Sequence, residues 1–452
     1  MFKKINFSKI IGSFSSLTAG NLTNQTLCLV FSLLVTTQLA SNSKELVDYF
    51  LFVNTVSFVI ILTQSFRNMI ARTVSKRIAS LEKKITSEDE KQLKAEGQVK
   101  VEDQIKVEGQ IETSLNLRTL SLSLFVIYII VSMILVILWL TGFYPYLILY
   151  FVFLLLFLIP VFVLPITNGF LQGMQKYTIF GIGTAIDGIS KLTSYIILFF
   201  AGVSAYYSSA IAFVIAPSLN MLFGLTMLTA LFRKNIARII ESKTSNNGTQ
   251  SFNRSLLPKI DVSIASVSLA ILVNFDIFFV RHFFPSEIEA YGTIVIIAKP
   301  LIYLAKVSSE IFITTSGKQK QKALDYLTLG LFSLAVIVII AAGKFLLEFL
   351  YPEIHYSYSL IIITVVYYLT TAALTVLFFK KLESSPGSKK LIFFSFLIPL
   401  SILALIIPVN LWSSLLICSS LAWIIYLLFE FSMRSKKQIE GIEGSHQLEE
   451  AE

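Results

Sequence analysis

Charged residues are scarce in this 452-residue sequence. They make up 14% of the chain, where soluble domains carry about a quarter, and that excludes an ordinary hydrated surface. Cysteine is scarcer. Cys28 and Cys418 lie far apart in apolar segments, which excludes a disulfide-stapled secreted domain and offers no pair of thiolates to a metal. The three histidines, His282, His355 and His446, are scattered and form no ligand cluster. What the chain has in abundance is apolar surface: 55% hydrophobic residues, 38 of them Phe, and a mean hydropathy of +0.75. This excludes a disordered chain and leaves a polytopic membrane protein. The net charge of +9 is not a nucleic-acid signal, because the bases sit in the breaks between apolar segments, where membrane topology uses them.

A spanning helix needs roughly 20 apolar residues to cross about 30 Å at 1.5 Å per residue. Twelve segments qualify: 12–40, 46–73, 118–141, 146–168, 178–202, 205–232, 258–283, 286–316, 325–349, 357–379, 390–409 and 411–433. They are continuously apolar and too long for barrel strands, which would alternate over about ten residues. With the amino terminus inside, 31 of the 37 Lys and Arg fall on cytoplasmic segments, and Lys44, Arg281 and Lys344 fall outside. The asymmetry predicts both termini in the cytoplasm. The start MFKK has a basic flank, but the apolar stretch behind it is too long for a cleaved signal, so the first span is expected to be retained.

The expected fold is all-α: twelve transmembrane helices in two six-helix lobes. The predicted organisation is an amino-terminal lobe over 1–232 with a charged cytoplasmic loop at 74–117, a linker at 233–257, a second lobe over 258–433 and a cytoplasmic tail at 434–452. The long loop carries three related hexads, AEGQVK, VEDQIK and VEGQIE, over 95–112. Three are too few for a stacked solenoid and read as a solvated insertion. Two six-span halves enter from the same side, so a repeat would be parallel, with a substrate site between the halves.

Polar residues in hydrocarbon are costly and belong against a cavity or a partner. Several align at helical spacing of three and four. The first span carries Thr18, Asn21, Gln25, Cys28 and Ser32; the second carries Asn54, Ser57, Gln64 and Asn68. The fifth has Thr184, Asp187, Lys191 and Ser194, the seventh Asn274 and Asp276, and the eighth Lys299, Tyr303, Lys306 and Glu310. Each stripe also reads as plain helix packing, since Ser and Thr bond back to their own helix. Asp187–Lys191 and Lys306–Glu310 are i, i+4 pairs that read equally well as self-neutralised structural ion pairs. Arg72 and Lys176 read equally as topology signals. Lys299 is mid-span and has no acid three or four residues away. Three lysines against Asp187 and Glu310 on the fifth and eighth spans make a positive surplus, which favours an anionic headgroup such as a phosphate or diphosphate.

Two stretches resemble a known family. ITNGFLQGMQKYTIFGIGTAIDGISKL at 166–192 is similar to the fourth-to-fifth helix region of bacterial polysaccharide (O-antigen type) flippases, through Gly169, Leu171, Gln172, Gly173, Lys176 and Tyr177. NFDIFFVRHFFPSEIEAYGTIVIIAKPLIYL at 274–304 resembles that family's seventh-to-eighth helix turn, through Asp276, Glu289 and Tyr291, and Ala71 and Arg72 resemble the end of its second helix. The sequence departs from the pattern in the first two spans, where Asn, Gln and Ser replace the usual Gly-rich stretches. The resemblance implies a member of the multidrug/oligosaccharidyl-lipid/polysaccharide exporter superfamily, with two six-helix lobes around a central cavity.

The expected function is therefore translocation of a polyprenyl-diphosphate-linked oligosaccharide across the bacterial inner membrane by alternating access, for cell-surface polysaccharide biosynthesis. The candidate substrate-binding residues are Lys191, Lys299, Lys306, Arg72, Gln25, Asn21 and Tyr303. Asp187, Asp276 and Glu310 are candidates for coupling or charge balance. No cofactor or metal is expected, with proton or sodium coupling left open. The expected partners are the lipid-linked oligosaccharide, membrane lipids, a polysaccharide polymerase and glycosyltransferases. Three rivals stand beside it: a drug/cation antiporter of the same superfamily, a membrane enzyme of polysaccharide assembly, and a scaffold with no transport role, which would not explain buried lysines. An enzyme is disfavoured because the outer loops are short and hold no paired carboxylates; His355 beside Glu353 is the nearest approach to an acid–base pair.

Overall fold

A computed structural model of the chain describes residues 7–92, 148–242, 276–305, 318–384 and 410–424, with a few helical positions between them. Among the described residues every regular element is helical. They are α1 (Phe7–Leu39), α2 (Ser43–Gln92), α3 (Ile148–Gly173), α4 (Tyr177–Phe200) and α5 (Ala205–Ser242). After these come α6 (Asp276–Phe283), a 3₁₀ turn (Pro285–Glu287), α7 (Ile288–Ala298), α8 (Lys318–Leu350), α9 (Tyr358–Ser384) and α10 (Leu411–Ile424). Seven stretches among them are long and apolar enough to cross a bilayer: Ala19–Leu39, Phe151–Gly173, Tyr177–Phe200, Ala205–Leu231, Pro285–Ala305, Phe332–Leu350 and Tyr358–Leu377. The chain is an all-α polytopic membrane protein. The predicted spans at 118–141 and 390–409, and most of 258–283, lie outside the described residues.

Two connections are tight enough to read atom by atom. At the end of α3 the Lys176 N–H donates to Leu171 O at 2.8 Å and the Gln175 N–H to Gln172 O at 3.0 Å. At the end of α4 the Val203 N–H donates to Leu198 O at 3.0 Å and the Gly202 N–H to Phe199 O at 3.1 Å. Both are Schellman caps, in which the residue after the helix turns left-handed to satisfy the last carbonyls. Gly202 does so at φ +87 and Gln175 at φ 57. After these abrupt ends α4 packs along α5 and α1, and α3 packs along α5 rather than along α4.

Some helices run beyond the segments predicted to lie in hydrocarbon. α2 continues from the expected span end at 73 to Gln92, so the first part of the region expected as loop, 74–117, is helix. The reason is composition. SKRIASLEKKITSEDEKQ contains Ala, Leu, Glu and Lys, which are good helix formers, and neither Gly nor Pro. α5 likewise runs to Ser242, into the expected linker. Prolines stand inside α3 (Pro160, Pro165) and α5 (Pro217), where neighbouring helices tolerate them.

Contacts divide the chain into two compact units: Met1–Phe52 with Leu62–Pro258, and Val53–Ile61 with Lys259–Glu452. In the first, helices meet through missing side chains. A Cβ on Gly20 of α1 would overlap the carbonyl of Gly181 of α4, whose Cα would be 2.7 Å away. A Cβ on Gly173 of α3 would sit 2.7 Å from Ala71 O and 2.6 Å from the Val74 Cβ of α2. Small residues let membrane helices approach at backbone distance, where dispersion and weak polar contacts replace the missing hydrophobic drive. In the second unit the core is aromatic: Tyr291, Tyr351, Tyr367 and Tyr368 are all fully buried.

A G20A variant is expected to lose about 1–3 kcal/mol through overpacking. G330A, where an added Cβ on α8 meets nothing within 4 Å, should be neutral or gain up to about 1 kcal/mol. Thermal unfolding of the two purified variants in detergent checks the contrast.

Candidate functional site: a buried lysine and a caged carboxyl

Lys299 sits where α7 stops. Its N–H donates to Val295 O at 2.8 Å, the helix breaks at Lys299, and the chain resumes helical form at Pro300, with the Ile302 N–H on Lys299 O at 2.9 Å. Pro300 has no N–H for the preceding turn, so the break follows from the sequence. The side chain is 5% exposed. Its Nζ donates to Asn54 Oδ1 at 2.6 Å and Asn274 Oδ1 at 3.1 Å. Asn274 is held in turn by its Nδ2 on Ala270 O at 3.0 Å. Both direct partners are therefore neutral amide oxygens. No carboxylate is in hydrogen-bond contact with the Lys299 amine among the described residues.

Asp276 begins α6 and is fully buried. Its Oδ2 accepts a short hydrogen bond from Tyr291 and one of 2.8 Å from Tyr368. Oδ1 has no hydrogen-bond partner among the described residues. The charges of Asp276 and Lys299 act on each other. Nearby on α7, Thr293 shares a 3.0 Å hydroxyl contact with Tyr356. Tyr356 lies between spans, and burial pushes its phenol well above the usual range, so it stays neutral. Lys299, Asn54, Asn274, Asp276, Tyr291 and Tyr368 thus form one buried polar group within the second unit.

Lys191, on α4 in the first unit, has different surroundings. It is 7% exposed. Its Nζ lies 3.6 Å from Asp187 Oδ2 on the preceding turn and 3.6 Å from Cys28 Sγ on α1. The same Nζ stands 4.8 Å from the centre of the Phe213 ring, a cation–π distance. Phe31, edge-on to both Tyr195 and Phe213 at 5.4 Å, closes this corner. The thiol of Cys28 leans on Asn24 Oδ1 at 3.4 Å.

The other predicted site residues fall out as follows. Asn21 is 6% exposed and Gln25 half-buried, on the α1 face that carries Cys28. Tyr303 is half-buried beyond the break at Lys299. Lys306 and Glu310 lie outside the described residues, as does the side chain of Arg72. The charge count changes accordingly. Lys191 and Lys299 face Asp187 and Asp276 among the described residues, so formal charge balances there. The asymmetry is one of contact: Lys191 touches an acid, whereas the direct partners of Lys299 are uncharged. Tyr368 and Phe213 were not singled out from the sequence. A Tyr-Tyr pair inside an apolar span is a usable signal for the first; a Phe among 38 is none for the second.

No family model and no curated protein matches the sequence. Solved structures do. An inward-facing multidrug resistance MATE family transporter of the MOP superfamily aligns over 92% of this chain and 96% of its own, with a TM-score of 0.56 and 12% identity. The chain has the fold of MOP-superfamily transporters. An outward-facing MATE transporter of the same superfamily aligns over 94% and 96%, with a TM-score of 0.57 and 10% identity. A MOP-superfamily transporter from Pyrococcus furiosus Vc1 (DSM3638), described as having a binding pocket of reversed polarity that suggests a different function, aligns over 94% and 96% at TM-score 0.55 and 10% identity.

Removing the carboxyl of Asp276 should strand two buried phenols and take a counter-charge from Lys299. D276A is expected to lose about 3–5 kcal/mol, and Y368F, which removes one hydrogen bond to the carboxyl, about 1–3 kcal/mol. Thermal unfolding in detergent reads both. A D276A protein melting with the wild type would show that this network does not hold the unit together.

Proposed function

We propose that this protein is a transporter that moves a polyprenyl-diphosphate-linked oligosaccharide across the bacterial inner membrane by alternating access, as part of surface-polysaccharide assembly. The observation that carries the reading is the Lys299 ammonium, 5% exposed and held at 2.6 and 3.1 Å by Asn54 and Asn274. A lysine charge at the centre of a membrane helix costs about 2.5–3.5 kcal/mol on insertion scales. Neutral amide acceptors lower that cost without cancelling the charge, so it stays available to an anion. The reversed pocket polarity described for the Pyrococcus furiosus transporter, which is said to suggest a different function for it, is in keeping with a change of cargo on this scaffold. The polyprenyl chain would stay in lipid while the diphosphate-sugar head meets the protein. In this reading both termini are cytoplasmic, and the polymerase and glycosyltransferases of the same assembly line are the working partners.

Lys191 has a lesser part here than Lys299. With Asp187 on one side and the Phe213 ring on another, its charge is already answered locally. Lys306, Arg72, Gln25, Asn21 and Tyr303 remain candidates for the head group's outer contacts, with Asp187, Asp276 and Glu310 for ion coupling or charge balance. One observation favours the rival drug/cation antiporter: the buried Asp276 keeps Oδ1 unpartnered among the described residues, and a carboxyl oxygen of that kind suits a cation.

Complementation of a strain lacking surface glycan separates these readings. K299A should cut glycan output at least tenfold at unchanged protein level, about 1.4 kcal/mol or more of lost anion binding, and K191A should cut it less than threefold. Normal glycan with both lysines replaced would reject the cationic site. Cation efflux from liposomes holding the purified protein would revive the antiporter.

A further inference from the structure

Two cations of the second unit fall outside in the proposed orientation, Arg281 and Lys344. Lys344 is answered twice: its Nζ lies 3.4 Å from Glu348 Oε1 and 4.5 Å from the centre of the Tyr358 ring. Arg281 has neither kind of partner. It stands in the last turn of α6 and is half-buried, and its Nη1 is buried with no hydrogen-bond partner among the described residues. Glu287 and Glu289 follow closely in sequence, yet among the described residues no carboxylate is ion-paired with it. A cation at a helix end often caps the last carbonyls, but here Val280 O accepts the Phe284 N–H at 2.8 Å. The carboxyl of Asp276, at the start of the same helix, is taken by Tyr291 and Tyr368. Topology gives no reason for the charge either, since Lys and Arg gather on the cytoplasmic side. Buried donors without a partner are few in native structures and each calls for an explanation.

Resting on the reading above for which side is outer, we propose that Arg281 is a phosphate-binding residue at the outer end of α6, separate from Lys299. A guanidinium presents a planar fork of N–H donors that matches two oxygens of one phosphate at once. The half-buried setting leaves the group open to an entering anion, while the buried Nη1 supplies a donor that water does not already occupy. Two molecules bring a phosphate to that level of the membrane: the diphosphate head of the translocated lipid, and the phosphodiester of an outer-leaflet phospholipid. In the first case Arg281 is where the head group arrives on its way out. Asn274, which holds the Lys299 ammonium, precedes Arg281 by seven residues, a rise of roughly 10 Å in a helix. The two cations then mark successive positions on an outward path within one unit.

Arg281→Ala, Arg281→Lys and Arg281→Leu are purified as full chains in a neutral detergent. One arm titrates fluorescent farnesyl diphosphate, with inorganic diphosphate as competitor. The other reads retention of phosphatidylglycerol by native mass spectrometry. A phosphate site requires Arg281→Ala to lose about tenfold or more in at least one arm, the worth of a hydrogen bond to a charged group, and the arm that falls names the occupant. Arg281→Lys should stay at least threefold weak in that arm, because an ammonium keeps the charge without the fork. Arg281 has no side-chain bond to lose in the unliganded protein, so Arg281→Leu should melt no lower than the wild type. Wild-type binding by Arg281→Ala in both arms, or low melting of Arg281→Leu, would overturn the proposal. Wild-type farnesyl diphosphate binding by Lys299→Ala would instead reject the anionic-cargo reading, and the phospholipid arm would then decide Arg281 by itself.

Discussion

The second unit is organised by one constraint: an ammonium placed where there is almost no water must be given acceptors. The chain meets it with Asn54 and Asn274 in direct contact and with the Asp276 carboxyl close enough to act electrostatically. Asp276 raises the same problem with the opposite sign, and Tyr291 and Tyr368 answer it. The interruption at Lys299–Pro300 is slight: Pro300 withholds one N–H from the ladder, while Lys299 keeps helical torsions (φ −58, ψ −29), so the lysine is carried on a nearly continuous helix. α2, α6, α7 and α9 therefore converge on a shared set of polar partners. Buried networks of this sort are unforgiving, since every unsatisfied member costs more than its bond would gain.

The first unit solves its own buried lysine differently, and the contrast is informative. Lys191 has a carboxylate one turn back, a thiol across the α1–α4 seam and an aromatic face. Each takes a share of the charge, and together they leave little of it to attract a ligand. The same residue type, equally buried, is therefore set up for two different tasks. A count of charges per lobe misses this, because what matters to an incoming anion is whether the nearest partner is charged or neutral.

Much of the fold was legible because hydrocarbon leaves few choices. Long apolar runs such as 178–202 and 205–232 had to be helices, and α4 and α5 differ from those limits mainly at their ends. Helix ends were less legible. Glu- and Lys-rich segments continue a helix into water without any hydrophobic mark, as α2 does to Gln92. At the site, the i, i+4 spacing already offered the Asp187–Lys191 pair as a self-neutralised bridge, and the absence of a local acid already set Lys299 apart. Asn54 stood on a polar stripe but could not be matched to Lys299, because 245 positions separate them and no periodicity spans that distance. Tyr368 escaped for the same reason. Its hydroxyl meets Asp276 from a helix 92 residues further on.

The meeting of Gly20 with Gly181 has a mechanical meaning. Where two backbones touch with no side chain between them, no rotamer is left to absorb a displacement, and sliding by even a fraction of a turn drives a neighbouring residue into the opposite main chain. α1 and α4 are in effect welded along that seam. The thiol, amine and carboxyl gathered beside it, Cys28, Lys191 and Asp187, must ride together as cargo of a single rigid plank, keeping their mutual distances through whatever strokes the protein makes.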